Sequence, residues 1–205
     1  MLTGRRTGAS LSTRGGWLLV WSLVKGWRLH QVVPSLAVLI LGAAALPGLF
    51  EPPQILSAVP TQAPVSAALS LLLSLLIVST TPEPCPEIVP LLAVRRRLLP
   101  AGRVLLLSAV TIACFAVGGA GLTTANSLCA LVGEALIVAT VVGIRYCWTV
   151  PLLHISTAAL FGTNAFGSLA AWAWLLSVSP RGIDLAVSGA LLTLGLVLTV
   201  RPQRR

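Results

Sequence analysis

One acidic residue stands out because it lies deep in apolar sequence. Glu134 falls within LCALVGEALIVA, and the nearest following basic residue, Arg145, comes eleven positions later. On a helix these two residues would share a face but lie about 16 Å apart, too far for an ion pair. An ionised carboxylate inside a bilayer is expensive, about 2.5–3.5 kcal/mol for the related Asp. We expect Glu134 either to make an interhelical hydrogen bond as a neutral acid or to line a substrate path, and the sequence favours neither.

Two other polar residues fall in the apolar part of the chain. For His154 the sequence favours a structural ring, bonded to a neighbouring helix or to water near the interface, over a proton relay. Asn164 follows Thr163 in the longest apolar stretch, where a break is possible. Together with Glu134, Asn164 is our second candidate for a residue that lines a substrate path.

Motifs for catalysis are missing from the sequence. The only lysine, Lys25, follows Val24, so the chain has no Walker A loop. It also has no H-E-x-x-H and no G-x-S-x-G motif, and its four cysteines lack the paired spacing of a zinc site. We therefore predict that the protein is not an enzyme and has no catalytic, cofactor-binding or metal-binding residues.

The composition is that of an integral membrane protein. Hydrophobic residues make up 56% of the chain, charged residues only 9%, and the mean hydropathy is +0.94. Stretches of about 18 apolar residues are long enough to cross a hydrocarbon core of roughly 30 Å. We predict six such spans, at residues 31–50, 65–80, 104–122, 127–144, 150–176 and 183–200.

The basic residues predict the orientation of these spans. With six spans, thirteen of the fourteen Lys and Arg residues fall on one side and only Arg181 on the other. By the positive-inside rule both termini are then cytoplasmic. We interpret the net charge of +9 as a topology signal and not as a nucleic-acid site. The basic residues that produce it would also contact anionic lipid headgroups.

The remaining segments are short. Residues 1–15 form a basic tail, 16–30 an interfacial amphipathic helix, 31–200 the six-helix transmembrane domain and 201–205 a basic cytoplasmic tail. In the interfacial segment Trp17, Trp21 and Trp27 fall on one side of a helix. A cleaved signal peptide is the rejected alternative, because Lys25 and Arg28 occupy the place of a cleavage site. The expected fold is all-α and polytopic.

Small residues recur every four positions in two of the spans. The first series is Ser66, Ser70 and Ser74, and the second is Ala159, Thr163, Gly167 and Ala171. Each would give a smooth stripe that another helix can approach closely.

The longest predicted cytoplasmic loop covers residues 83–103. Its segment EIVPLLAVRRRLLP joins an apolar block to a basic cluster. Such a segment can lie along the membrane surface with its apolar residues toward lipid or a partner and its arginines toward phosphate. A simple topological anchor would explain only the arginines. The residues in question are Pro90, Leu91, Leu92, Arg95, Arg96 and Arg97.

The whole pattern resembles the permease subunits of type-two ABC transporters, the exporter class. The likeness rests on the interfacial helix, the six spans, the basic loop, and the segments RRRLLPAGRVLLLSA, YCWTVPLLHISTAALFG and WAWLLSVSP, which are similar to permease-like proteins of G+C-rich bacteria. It implies that the loop at 83–103 meets a separate ATPase. The short segment SVSPRGID departs from the family, where many members have re-entrant helices.

The resemblance implies an ABC-type permease that moves an amphipathic or lipid-like solute, peptide or drug. Its partners would be membrane lipid, a cytoplasmic ATPase and a second permease copy or homologue in a dimer, and its location the bacterial inner membrane. A non-transport membrane scaffold or accessory subunit is the alternative. A channel or secondary carrier is disfavoured, because the sequence places only one ionisable residue deep in the spans.

Overall fold

We describe the chain from a computed structural model that covers residues 34–35, 37, 48–51, 63–81, 93–164 and 168–200, with backbone only at 50 and 93–99. Several predicted features lie outside these residues: the tails at 1–15 and 201–205, the interfacial helix at 16–30, most of the first span, and Pro90, Leu91 and Leu92 of the loop.

The described part of the chain is mostly helical. Its five α-helices are α1 (Val65–Val78), α2 (Ala93–Val117), α3 (Gly121–Val141), α4 (Thr149–Phe161) and α5 (Gly182–Val200). Two short 3-10 segments, Ile144–Tyr146 and Ala171–Leu176, follow α3 and α4. The strands β1 (Leu49–Phe50) and β2 (Ala63–Pro64) pair antiparallel just before α1.

Three of these helices are long and apolar enough to cross a membrane. They are Pro100–Val117 within α2, Gly121–Val141 and Gly182–Val200. The protein is therefore a helical membrane protein. Helix α1 has 14 residues and a length of about 21 Å, which is shorter than a hydrocarbon core.

Two predicted boundaries are wrong. The first span was expected to run to residue 50, but Leu49 and Phe50 form a strand after the Pro47-Gly48 pair, which disfavours helix continuation. The third span was expected to begin at Val104, but α2 begins at Ala93 and includes Arg95, Arg96 and Arg97. The segment AVRRRLL contains no Gly or Pro and is rich in strong helix formers, so it is helical and not a loop.

The fifth predicted span is interrupted. Helix α4 ends at Phe161 after 13 residues, close to the break expected at Thr163 and Asn164. Thr163 then pairs antiparallel with Leu169, and the 3-10 segment Ala171–Leu176 follows. Because α4 ends there, the expected stripe from Ala159 to Ala171 does not lie on one helix.

Helix α3 is the centre of the fold, since it packs against each of the other four α-helices. It follows α2 through a tight turn in which Gly119 has a φ of +81°. Against α5 its backbone is in direct contact: a Cβ on Gly133 would lie 2.5 Å from the carbonyl carbon of Leu191. Gly195 faces Gly133 and Leu136, and Ser188 bonds Asn126. Residue numbers rise together along both helices, so α3 and α5 run parallel.

Helix α1 docks on α3 through the expected serine stripe. Ser66, Ser70 and Ser74 are all buried, and the Ser127 hydroxyl donates to Ser70 Oγ at 2.9 Å. At the other end of α1, the buried Arg103 donates from Nη1 to the Thr80 carbonyl oxygen at 3.0 Å. Arg103 thus stabilises the C-terminal end of α1 as well as contributing to the basic cluster.

Candidate functional site

Glu134 lies in the most enclosed part of the bundle. It occupies the middle of α3, the helix that contacts all the others, and only 8% of the residue is exposed. Its neighbours in the helix are apolar, and Gly133 brings the α5 backbone close beside it. A carboxyl group in this position requires hydrogen-bond partners or loss of its charge.

The partner of Glu134 is His154. The His154 Nδ1 atom lies 2.6 Å from Glu134 Oε1, which is within hydrogen-bond distance. The expectation that His154 bonds a neighbouring helix is confirmed. The sequence indicated no specific partner for Glu134, so His154 is the residue that sequence reasoning missed.

A signal for this contact was nevertheless present in the sequence. Glu134 precedes Arg145 by eleven residues and His154 follows Arg145 by nine. When two helices form an antiparallel hairpin around a short turn, residues at similar distances from that turn lie at similar depth. The two side chains therefore reach the same level of the bundle from α3 and α4.

The imidazole ring of His154 is held on one further side. The ring of Trp174, in the 3-10 segment, meets it edge-on, with centroids 6.0 Å apart and an interplanar angle of 78°. Because Nδ1 faces Glu134, Nε2 is the nitrogen that points away from the carboxyl group.

The 3-10 segment that supplies this contact is tied to α3 and α5 by polar bonds. Asn126 Nδ2 donates to the Trp174 carbonyl oxygen at 3.2 Å, and Asn126 Oδ1 accepts a bond from Ser188 at 2.6 Å. Farther along, Thr123 donates to the carbonyl oxygen of Val178. Non-helical backbone in a membrane protein is stable where it is buried against other protein segments, and these bonds meet that requirement.

One atom of the pair has no partner among the described residues. Glu134 Oε2 is buried and accepts no hydrogen bond from any of them. A buried carboxylate oxygen that bears charge loses far more by this than the carbonyl oxygen of a neutral acid does. Among the described residues, His154 is therefore the only hydrogen-bond partner of the Glu134 carboxyl group.

The second predicted path residue has a different environment. Asn164 is exposed, and its amide nitrogen donates to Ser168 Oγ at 2.6 Å while Oδ1 accepts from the Ser168 backbone at 3.0 Å. These bonds lie one residue beyond the Thr163–Leu169 pair. Asn164 therefore bonds within the segment that follows α4, and the described contacts do not bring it to Glu134.

The predicted ATPase-coupling residues are described only in part. Arg95, Arg96 and Arg97 lie in the first turns of α2, continuous with the membrane-spanning part of that helix. In the described residues no group of three or more His, Cys, Asp and Glu side chains is close enough to hold a metal ion.

Comparisons with protein-family models, curated proteins and solved structures find no match. The resemblance to ABC permeases is therefore a prediction from the sequence. The Glu134–His154 pair, by contrast, is a feature of the folded chain that any functional proposal must accommodate.

Proposed function

We propose that the protein is a membrane-spanning permease subunit whose transport path passes the Glu134–His154 pair. Its cargo would be an amphipathic or lipid-like solute, peptide or drug. A buried acid–base pair beside an interrupted helix is the observation that carries this proposal. Ionisable residues inside a membrane bundle commonly mark substrate or ion pathways, and broken helices commonly form the binding region of transporters.

The proposed topology has six spans, both termini in the cytoplasm and an interfacial helix at 16–30. The parallel course of α3 and α5 supports it, since the fourth and sixth spans of such a chain run in the same direction. The segment between them, with α4 and the 3-10 segment, would then return the chain across the membrane. The bacterial inner membrane is the proposed location, on the basis of the positive-inside bias and the composition.

We further propose that a separate ATPase drives transport by contact with the loop that contains Pro90, Leu91 and Leu92, in a dimer of permease subunits. Sequence resemblance supports this partner. In the structure Arg95, Arg96 and Arg97 lie in α2, so a force on the loop would act on a helix that also contains a membrane-spanning segment.

The test is transport by purified protein in liposomes. Two probes suit the proposed cargo: ethidium, an amphipathic cation, and a nitrobenzoxadiazole-labelled phospholipid. We expect probe movement that Glu134→Gln reduces by at least tenfold, while the control Asp184→Asn, at a half-buried position in the first turn of α5, leaves it unchanged. Equal transport in empty and protein-containing liposomes, with and without the ATPase, would contradict the proposal and favour the scaffold alternative.

The ATPase partner requires its own experiment. Native membranes from cells that carry Leu91→Cys should yield a crosslink to a cytoplasmic ATPase, and Leu91→Ser with Leu92→Ser should abolish its co-purification. Leu106→Ser, at an exposed position of α2, is the matched control for loss of an apolar side chain. Co-purification that persists in the double variant would exclude the loop as the docking site.

A further inference from the structure

In the described part of the chain, the elements packed against α3 and α4 carry few other titratable or charged side chains. Arg103 is directed at the Thr80 carbonyl oxygen, and Asp184 accepts a bond from the Arg181 backbone nitrogen. The others, whose positions are on α2, on α3, in the turn after α3 and just before α5, are Arg95, Arg96, Arg97, Cys114, Cys129, Arg145, Tyr146, Cys147 and Arg181.

Charge balance then fixes how many protons the pair holds at rest. With one proton between Oε1 and Nδ1 the pair is neutral overall, whichever atom the proton is on. With no proton the pair carries a full negative charge, and with two it carries a positive one. Both charged states are costly at this depth. The pair therefore holds one proton at rest, and it gains or loses a proton only when the pH or its contacts change.

The open oxygen supplies the place for a second proton. Oε2 is buried and has no donor among the described residues, and a proton needs no cavity to bind there. When Oε2 takes up the second proton, the shared proton lies on Nδ1, and the pair becomes a neutral carboxylic acid beside an imidazolium with a net charge of +1.

We propose that Glu134 and His154 form a proton-binding centre within the membrane, which holds one proton between Oε1 and Nδ1 and takes up a second. In this exchange no covalent bond between heavy atoms forms or breaks: each proton taken up adds one positive charge to the pair and each proton released removes it. The centre would make a proton a co-substrate of the permease, and that last step alone rests on the proposed transport function.

Trp174 provides a built-in reporter of the imidazole, since a protonated imidazole quenches the emission of an indole in contact with it. A variant that keeps Trp174 and replaces the other five tryptophans by Phe should lose emission in a single step as the pH falls. His154→Gln should remove the step. His30→Gln, which changes the only other histidine, is the matched control and should leave the step in place.

Glu134 is tested by infrared difference spectroscopy at a pH below the Trp174 step. The pair with two protons should show a carboxylic-acid C=O band that Glu134→Gln removes and Asp184→Asn retains. In the fluorescence titration, Glu134→Gln should shift the midpoint of the Trp174 step, because a Gln side chain cannot share the proton. Each variant is compared only if it elutes from size-exclusion chromatography as a single species at the same volume as the parent protein.

Two outcomes would overturn the proposal: a Trp174 step that persists in His154→Gln, or the absence of the Glu134 carboxylic-acid band. These measurements need no transported probe. If the liposome experiment shows no transport, the Trp174 titration can still show proton binding by the pair. If the titration fails, the liposome experiment can still show transport of the probes.

Discussion

At the scale of single residues, the bundle solves the problem of a buried acid with one matched base. Glu134 alone would be a costly charge, and His154 alone an unsatisfied ring. At 2.6 Å apart, His154 Nδ1 and Glu134 Oε1 satisfy each other as hydrogen-bond partners among the surrounding apolar side chains. The edge contact of Trp174 then holds the ring in its orientation.

We expect Glu134→Leu to destabilise the protein more than Glu134→Gln does. Leucine leaves Nδ1 of a largely buried histidine without a partner, at a cost of about 1–3 kcal/mol, whereas the Gln amide can still donate to it. Thermal unfolding in detergent measures the difference. Adding His154→Leu to Glu134→Leu should recover part of the loss, since both members of the pair are then apolar.

Equal unfolding temperatures for Glu134→Leu and Glu134→Gln would contradict this account. The exposed Leu106→Gln provides a control for a polar substitution that meets no buried partner.

At the scale of elements, the contact of α5 with α3 is made at the backbone. Only Ser188 and Gly195 of α5 are buried, and Leu192 and Leu196 are partly buried against the core. The two glycines at the contact allow the main chains of α3 and α5 to meet, with Gly195 placed against Gly133. Close approach through small residues is a principal source of helix association in membranes, where lipid tails are as apolar as leucine.

Gly133→Ala and Gly195→Ala should each separate these helices. The added Cβ would lie 2.5 Å from a Leu191 backbone atom in the first case and 2.8 Å from the Gly133 carbonyl oxygen in the second, and backbone atoms cannot rotate away. Overpacking of this kind costs about 1–3 kcal/mol. The measurement is thermal unfolding together with abundance in the membrane.

Gly189→Ala is the matched control on the same helix, because a Cβ at Gly189 meets no atom within 4 Å. We expect it to be neutral or to stabilise α5 by up to about 1 kcal/mol, through the helix propensity of alanine. A loss at Gly189→Ala as large as that at Gly133→Ala would refute the contact as the cause.

The elements also show where sequence patterns suffice. The stripe of Ser66, Ser70 and Ser74 is confirmed, because a regular helix carries it and α3 approaches it. The prediction of a stripe from Ala159 to Ala171 is wrong. Because α4 ends at Phe161, residues spaced by four beyond that point do not share a helix face with Ala159. Periodicity predicts a helix face only where the backbone is continuous, and Gly162 and Asn164 offer only a weak local sign that it is not.

At the scale of the whole molecule, hydropathy was sufficient to predict a helical membrane protein, because apolar length depends on sequence alone. The strands β1 and β2 and the pairing of Thr163 with Leu169 could not be predicted, since they depend on contacts that bury non-helical backbone against α1, α3 and α4. For the Glu134–His154 contact, similar distances from the turn at Arg145 indicate a similar depth but not that the two side chains face each other. Its residues are separate in sequence, and only the arrangement of helices about α3 brings them together.

The position of α3 predicts which segments lie on opposite sides of the membrane. Its 21 residues give a length of about 31 Å, enough to cross the hydrocarbon core. Tyr146 follows its last turn, whereas the backbone of Val178 bonds Thr123 in its first turn. Both side chains are exposed, so single cysteines placed there, in a chain whose four native cysteines are replaced by alanine, should be accessible from opposite sides.

With a membrane-impermeant maleimide on intact cells, Val178→Cys should be labelled and Tyr146→Cys should react only after the membrane is opened. This direction follows from the proposed cytoplasmic position of the basic segments, and neither substitution removes a charge that sets the orientation. The reverse result would keep α3 as a span but invert the orientation. Labelling of both cysteines in intact cells would mean that α3 does not cross the membrane, and the proposed path past Glu134 and His154 would then be excluded.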